Sequence, residues 1–210
     1  MPTSSHSLSR SSNQPRSPGR PREFDIDAAI DAVLPLFRER GFNASSIADI
    51  GAAMNLTAGS IYKAFGDKRT IFLHAFERYT SSRDAQLQKL LLAEVTGFDK
   101  VKAMLVFYAN ASYGTEGRRG CLVAASAIEL ATFDSELSAL VTNAMQRIVS
   151  RLRDLIVLGQ SDGSITADID SDAAACVLFS LVQGFRVVGK VGRTRSEMLA
   201  AAELAMRMLR

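Results

Sequence analysis

Residues 46–68 read SIADIGAAMNLTAGSIYKAFGDK, and their spacing decides the fold. Ile47, Ile50 and Met54 recur at helical intervals along a first short segment. Asn55-Leu56-Thr57 makes a turn, and a second short segment runs from Ala58 to Phe65 before Gly66-Asp67 stops it. Two short helices across a three-residue turn have helix-turn-helix spacing, in which the second helix can enter a DNA major groove. The chemistry of that second helix suits the task. Thr57, Ser60, Tyr62 and Lys63 offer hydrogen bonds or positive charge, while Ala58 and Gly59 are small enough for close approach. Ile47, Ile50, Ile61 and Phe65 form the apolar underside.

Outward from this stretch the pattern stays helical. Upstream, Ile26, Ile30, Val33, Leu34 and Phe37 share one face, with Asp25 as candidate N-cap, Gly41 as stop and a kink expected at Pro35. Downstream, Lys68 to about Leu92 is one long segment with Ile71, Phe72, Ala75, Phe76 and Tyr79 on its apolar side. Further helices are predicted near 99–113, 120–131, 135–159, 171–190 and 196–209, separated by Gly114–Gly117, Thr132–Phe133, Ser161–Thr166 and Gly192–Thr194. No sustained alternation of apolar and polar residues suggests a strand. The expected fold is all-α with about nine helices: a three-helix head followed by a larger helical bundle.

Charge divides the chain further. Residues 1–22 carry Arg10, Arg16, Arg20 and Arg22 and no acid, so this Ser/Pro-rich stretch reads as a disordered basic arm. Within it, Gly19-Arg20-Pro21-Arg22 has the composition of a minor-groove hook. Residues 23–81 hold six Lys/Arg against eight Asp/Glu, and residues 82–210 hold 15 against 14. The expected units are therefore the arm (1–22), a DNA-binding head (23–81) and a ligand-binding and dimerisation domain (82–210). Two cysteines among 210 residues exclude a disulfide framework and suggest a reducing, cytoplasmic setting. No uninterrupted apolar run approaches the ~20 residues of a membrane helix, and no apolar stretch follows the first arginines as in a secretory signal.

Three of these segments, Leu36-Phe37-Arg38-Glu39-Arg40-Gly41-Phe42, Ser46-Ile47-Ala48-Asp49-Ile50 and the run from Gly59 to Lys68, resemble the N-terminal signature of TetR/AcrR-type regulators. The resemblance implies a homodimeric, ligand-responsive transcriptional regulator, most often a repressor. It implies that Ser45 and Ser46 touch phosphate and that Thr57, Ala58, Gly59, Ser60, Tyr62 and Lys63 form the reading face. It also implies that Lys68 contacts a phosphate across the groove and that Arg20 and Arg22 reach an adjacent minor groove.

In the second half, the helices near 171–190 and 196–209 are too apolar to face water on any broad side. A two-fold copy of the pair would cover them in a four-helix bundle, as the resemblance also implies. An effector pocket is expected between helices of the 99–190 region, with Met104, Phe107, Tyr108, Cys121, Met145, Ile148, Phe179 and Gln183 as candidates. This mostly apolar set suggests a hydrophobic or aromatic small molecule. Cys121, following Arg118 and Arg119 at a helix start, is also a candidate reactive thiol, whereas Cys176 reads as core. No nucleophile elbow, P-loop, HExxH or dinucleotide fingerprint is present, so no catalytic residue, cofactor or metal is expected. The competing reading is a sequence-independent architectural DNA binder that works through its basic arm.

Overall fold

The computed structural model describes residues 24–129 and 135–210. The basic arm, with Arg20 and Arg22, lies outside the described residues, as does the separator at Thr132–Phe133. Among the described residues there are ten α-helices, two short 3-10 turns and no strand. The head contains α1 (Ile26–Arg40), α2 (Ile47–Met54) and α3 (Ala58–Phe65), followed by the long α4 (Lys68–Ala93). The remainder contains α5 (Gly97–Asn110), α6 (Gly114–Arg119), α7 (Leu122–Glu129), α8 (Ser135–Asp162), α9 (Ser171–Val188) and α10 (Arg195–Met206).

Caps set most of these boundaries. Asp25, Ser46, Thr57, Asp67, Thr96, Asp170 and Thr194 each accept a hydrogen bond from a first-turn backbone N–H, removing an otherwise unpaired donor. Ser46 and Thr194 form full capping boxes with Asp49 and Glu197. The α9 cap is Asp170. Helix α1 continues through Pro35.

Two differences from the expected layout have a local cause. Helix α5 opens at Gly97, two residues before the expected start near 99, and the missing side chain lets it lie against α8: an added Cβ would lie 2.1 Å from the Gly159 backbone nitrogen. Helix α6, expected as a linker, has the unpromising sequence GTEGRR. Its Gly117 packs against the turn after α9, where a Cβ would come within 3.2 Å of the Gly189 carbonyl oxygen, so tertiary contact supports a turn that propensity does not.

Two apolar cores result. The first joins Val33, Phe37, Ile50, Ile61, Phe65, Ile71 and Phe72 of the head to Leu122, Val123, Leu137 and Val141 of α7 and α8. The second unites the far end of α4 with α5, α8, α9 and α10 through Leu87, Leu105, Leu152, Ile156 and Leu178. The head core therefore does not close at residue 82; the bundle completes it. Helix α9 and the turn after it (Ser171–Val191) are long and apolar enough to cross a membrane by composition, with a mean hydropathy of 1.5. One side of α9 is buried here against the second core, through Ala175, Leu178, Val182 and Phe185.

Replacing Gly97 with Ala is expected to lower stability by about 1–3 kcal/mol, the usual cost of overpacking a closed contact. A urea denaturation midpoint equal to that of the wild type would refute the close α5–α8 contact as a requirement.

Candidate nucleic-acid interface and the cavity behind it

The helix-turn-helix geometry begins with Gly51 and Asn55. Asn55 adopts a left-handed conformation (φ 54°), which Asn tolerates better than most residues. Leu56 then donates its backbone N–H to the Gly51 carbonyl at 2.9 Å. A Cβ on Gly51 would sit 2.8 Å from the Leu56 carbonyl oxygen, so the turn folds back only because residue 51 has no side chain. Ile61 and Phe65 are buried beneath α3. Thr57, Ala58, Gly59, Tyr62 and Lys63 are exposed, and Ser60 is half-buried with its hydroxyl 3.0 Å from that of Thr57. Tyr62 is 53% exposed, unusual for an aromatic side chain this close to a core.

Two expected phosphate contacts take other roles. Ser45 is only 1% exposed, and its hydroxyl donates to the Gly41 carbonyl at 2.7 Å. It closes the α1–α2 loop and does not face solvent. The Lys68 ammonium donates to the Phe42 and Ser45 carbonyls at 2.9 and 3.0 Å and lies 4.2 Å from the centre of the Phe42 ring. Two of its three donors hold that same loop, so Lys68 ties α4 to the start of α2. Ser46 is exposed as expected, with its hydroxyl donating to the Asp49 carboxylate at 2.5 Å.

Behind the head, Arg38 of α1 is buried and grips the bundle. Its guanidinium donates to the Gly120 carbonyl at 3.0 and 2.9 Å, to the Glu116 carbonyl at 3.2 Å and to the Glu116 carboxylate at 2.9 Å. At the end of α7, the Glu129 carboxylate accepts the backbone N–H groups of Phe42 and Asn43 at 3.0 and 2.5 Å. The helix-turn-helix is thus hydrogen-bonded to α6 and α7 on both sides of the α1–α2 loop.

Immediately after Gly120, Cys121 lines a cavity between α4, α5, α7, α8 and α9. It encloses about 620 Å³ free of atoms, counting the solvent at its mouth. Leu87, Val123, Ala144 and Ile148 supply apolar wall. The polar lining includes Arg83, Arg147, Arg151 and Arg186 with Tyr79, Tyr108 and Gln183. Of the eight effector candidates, Tyr108, Cys121, Ile148 and Gln183 line it. Met104 is fully buried in the second core, Phe107 and Phe179 pack against that core, and Met145 packs against the first.

The sequence reading missed the arginines and Tyr79. Arg186 was the most readable of them, as a lone charge in the otherwise apolar run of α9. It is 4% exposed and donates to the Ala111 carbonyl at 2.7 Å and the Tyr79 hydroxyl at 2.7 Å. Burial pushes the Tyr108 hydroxyl up to about 12 and raises Tyr79 as well, so both stay neutral and can donate. Burial also pushes the Cys121 thiol up. The positive charge of Arg186, with hydrogen bonding from the Ala124 backbone, Arg186 and Tyr79, outweighs this and holds the thiol below its ordinary value. Cys176, expected in the core, is exposed on the outer side of α9.

Two family models cover most of the chain. Residues 29–75 match the model for bacterial regulatory proteins of the tetR family, and residues 97–205 match the tetracycline repressor-like C-terminal domain. The chain belongs to the TetR family of transcriptional regulators. It is 24% identical to the HTH-type transcriptional repressor ComR of Escherichia coli K12 over 92% of both chains, and 31% identical to the repressor BdcR of the same organism over 52% of this chain and 56% of BdcR. Among solved structures, a cysteine mutant of the TetR-family regulator CifR in complex with 26-bp operator DNA superposes with a TM-score of 0.80 at 26% identity, covering 90% of this chain and 98% of that one. Such regulators are not an enzyme class.

The lowered thiol value sets an expectation for Cys121. Its alkylation by iodoacetamide, followed peptide by peptide by mass spectrometry, should show a pH midpoint below the roughly 8.5 of a free thiol. Because the depressed value depends on Arg186, Arg186→Met should move that midpoint upward. A midpoint at or above the free-thiol value in the wild type would contradict the assignment.

Proposed function

We propose that this chain is a homodimeric repressor that binds a two-fold operator through α3 and is released when a small molecule fills the α4–α9 cavity. The observation that carries the reading is the face of α3. Thr57, Ala58, Gly59, Tyr62 and Lys63 point away from a core closed by Ile61 and Phe65, as a helix that enters a major groove requires. The α3 N-terminus is available to phosphate, and Lys63 adds positive charge in its last turn. Arg20 and Arg22 act in an adjacent minor groove, Ser46 meets the backbone, and Ser45 and Lys68 shape the loop that positions it. In this reading 1–22 is the arm, 23–81 the head and 82–210 the regulatory unit, and the protein works in the cytoplasm, where its DNA is.

Dimerisation uses α9 and α10. Val187 is 58% exposed and Leu204 63%, with Val177 and Met208 also uncovered. Apolar side chains of this size on neighbouring terminal helices favour a second copy of the same surface. A two-fold dimer places its reading helices roughly 34–36 Å apart, one DNA turn, or slightly more.

Release follows from the adjacency of Gly120 and Cys121. A ligand that displaces the Cys121 wall also displaces the carbonyl that Arg38 holds, and Arg38 belongs to the first helix of the head. The coupling between ligand and operator is expected to be about 1–3 kcal/mol.

Two measurements test this reading. Genomic fragments selected by the purified protein at about 0.15 M salt, where exposed charges are screened beyond ~8 Å, should contain a palindrome that Tyr62→Ala fails to recover. Diffuse recovery unchanged by the substitution would favour the architectural reading. In light scattering the wild type should have twice the 22.7 kDa chain mass, and the double variant Val187→Glu, Leu204→Glu should approach the single-chain mass. A wild-type monomer would refute the dimer.

A further inference from the structure

The cavity behind the head is lined by four arginines and a single carboxylate. Arg83 and Arg186 both line it, and each has a buried guanidinium nitrogen with no hydrogen-bond partner: Nη2 of Arg83 and Nε of Arg186. Among the described residues, Asp84 is the sole carboxylate on the lining, and it pairs with Arg151. The nearest neighbours of the Arg83 guanidinium are aromatic faces. Its central carbon lies 4.6 Å from the Phe107 ring centre and 5.8 Å from those of Tyr79 and Tyr108. Ring faces attract a cation but do not satisfy its N–H donors. Buried charges in proteins are ordinarily paired and hydrogen-bonded, and two unsatisfied guanidinium donors on one cavity depart from that rule.

The remaining walls limit what can satisfy them. Leu87, Val123, Ala144 and Ile148 are apolar, while the Gln183 amide and the Tyr108 hydroxyl offer neutral hydrogen bonds. A fully solvated inorganic anion would leave the apolar wall without a partner. A purely hydrophobic molecule, the class expected from the sequence, would bury the two guanidiniums more deeply without pairing them. A molecule with one charged end and an apolar body meets both halves of the lining.

From this we infer that the cavity takes an organic carboxylate, with its carboxylate between Arg83 and Arg186 and its apolar body along α4, α7 and α8. The inference rests on the reading of this cavity as the effector site and names the effector's chemical class. Guanidinium groups suit a carboxylate because their planar N–H donors can match its two oxygens. The site needs no new charge from the protein, since both guanidiniums remain protonated at neutral pH. Burial, together with the like charge of Arg186, lowers the Arg83 value.

The test uses the full chain and a series of carboxylates (acetate, butyrate, octanoate and phenylacetate), each paired with its primary amide. Calorimetry without DNA reads binding directly, and fluorescence anisotropy on the selected operator reads release. At least one of the longer carboxylates should bind at least about tenfold more tightly than its amide, because the amide keeps the shape and loses the charge-assisted pair. Arg83→Met should abolish that discrimination, and Arg83→Lys should keep part of it. Unliganded Arg83→Met should melt within a few degrees of the wild type, since it removes a buried charge that has no carboxylate partner. Bound carboxylate should also slow Cys121 alkylation in the wild type, by placing a negative charge beside the thiol. Amides that bind as well as carboxylates, or a series in which no carboxylate binds, would overturn the inference. So would discrimination that persists in Arg83→Met. Loss of operator binding by the unliganded protein would instead strike at the repressor reading, leaving the calorimetric result to stand alone.

Discussion

The Arg38 guanidinium is the point where the two halves of this molecule become one. It is buried, yet its hydrogen-bond partners all lie about 80 positions further along the chain, on Glu116 and Gly120. Hydrogen bonds to a charged group typically contribute about 1.5–3 kcal/mol each, and the two to the Gly120 carbonyl are buried, whereas the Glu116 carboxylate is half exposed and screened by solvent. One such bond is an appreciable share of the roughly 5–15 kcal/mol that keeps an ordinary domain folded. Helix α1 consequently cannot shift far without either carrying α6 along or leaving a bare cation behind. The Tyr79 ring lies 5.5 Å from the Arg38 guanidinium carbon, and the Tyr79 hydroxyl in turn accepts from Arg186. One tyrosine therefore touches both the arginine that positions the head and the arginine that lines the cavity.

Core packing makes the same connection with apolar side chains. Phe37 and Phe72 meet edge to face at 5.0 Å, and Phe72 also meets Phe42 at 5.2 Å, next to the loop that Lys68 holds. The cluster continues into Leu122 and Val123, the first two residues of α7. A small three-helix head buries too little surface to be robust by itself. Here α7 and the first turns of α8 supply the missing cover. The core beneath α3 thus includes residues of the C-terminal bundle as well as of the head.

The parts legible in the sequence were those decided by local rules. The spacing of Ile47, Ile50, Ile61 and Phe65, the N-cap at Asp25, and the stops at Gly41 and Gly66 all follow from period and capping chemistry. The illegible parts depend on contacts between distant segments. Helix α6 has Gly117 lying against the Gly189 carbonyl, a distant contact that no propensity scale reports. Ser45 and Lys68 have the side chains of phosphate ligands, but the α1–α2 loop exposes carbonyls that claim Lys68 and accept from Ser45 first. Cys176 sits in an apolar run, yet a helix with two apolar faces must turn one outward when a single chain is viewed alone. The effector candidates were chosen for bulk, and bulk finds cores as readily as cavities. Four of the eight line the cavity because their neighbours leave space there.

The cavity arginines show why polarity misplaced in a pattern is more informative than apolarity in place. A helix such as α9 could bury Leu at position 186 with no desolvation cost, and replacing buried ionic groups by apolar ones is often neutral or stabilising. Keeping Arg186 there, hydrogen-bonded to Ala111 and Tyr79 but with Nε unpaired, departs from the arrangement that stability alone would favour. Arg83 repeats the departure from the opposite wall. Two such departures facing one cavity place the cost where a ligand can relieve it. The free energy released on pairing them is then available at Tyr79 and Cys121, one hydrogen bond from Arg186 and one residue from the carbonyl that holds Arg38. On the proposed reading, recognition of an anion and repositioning of the head are the same rearrangement of a few side chains.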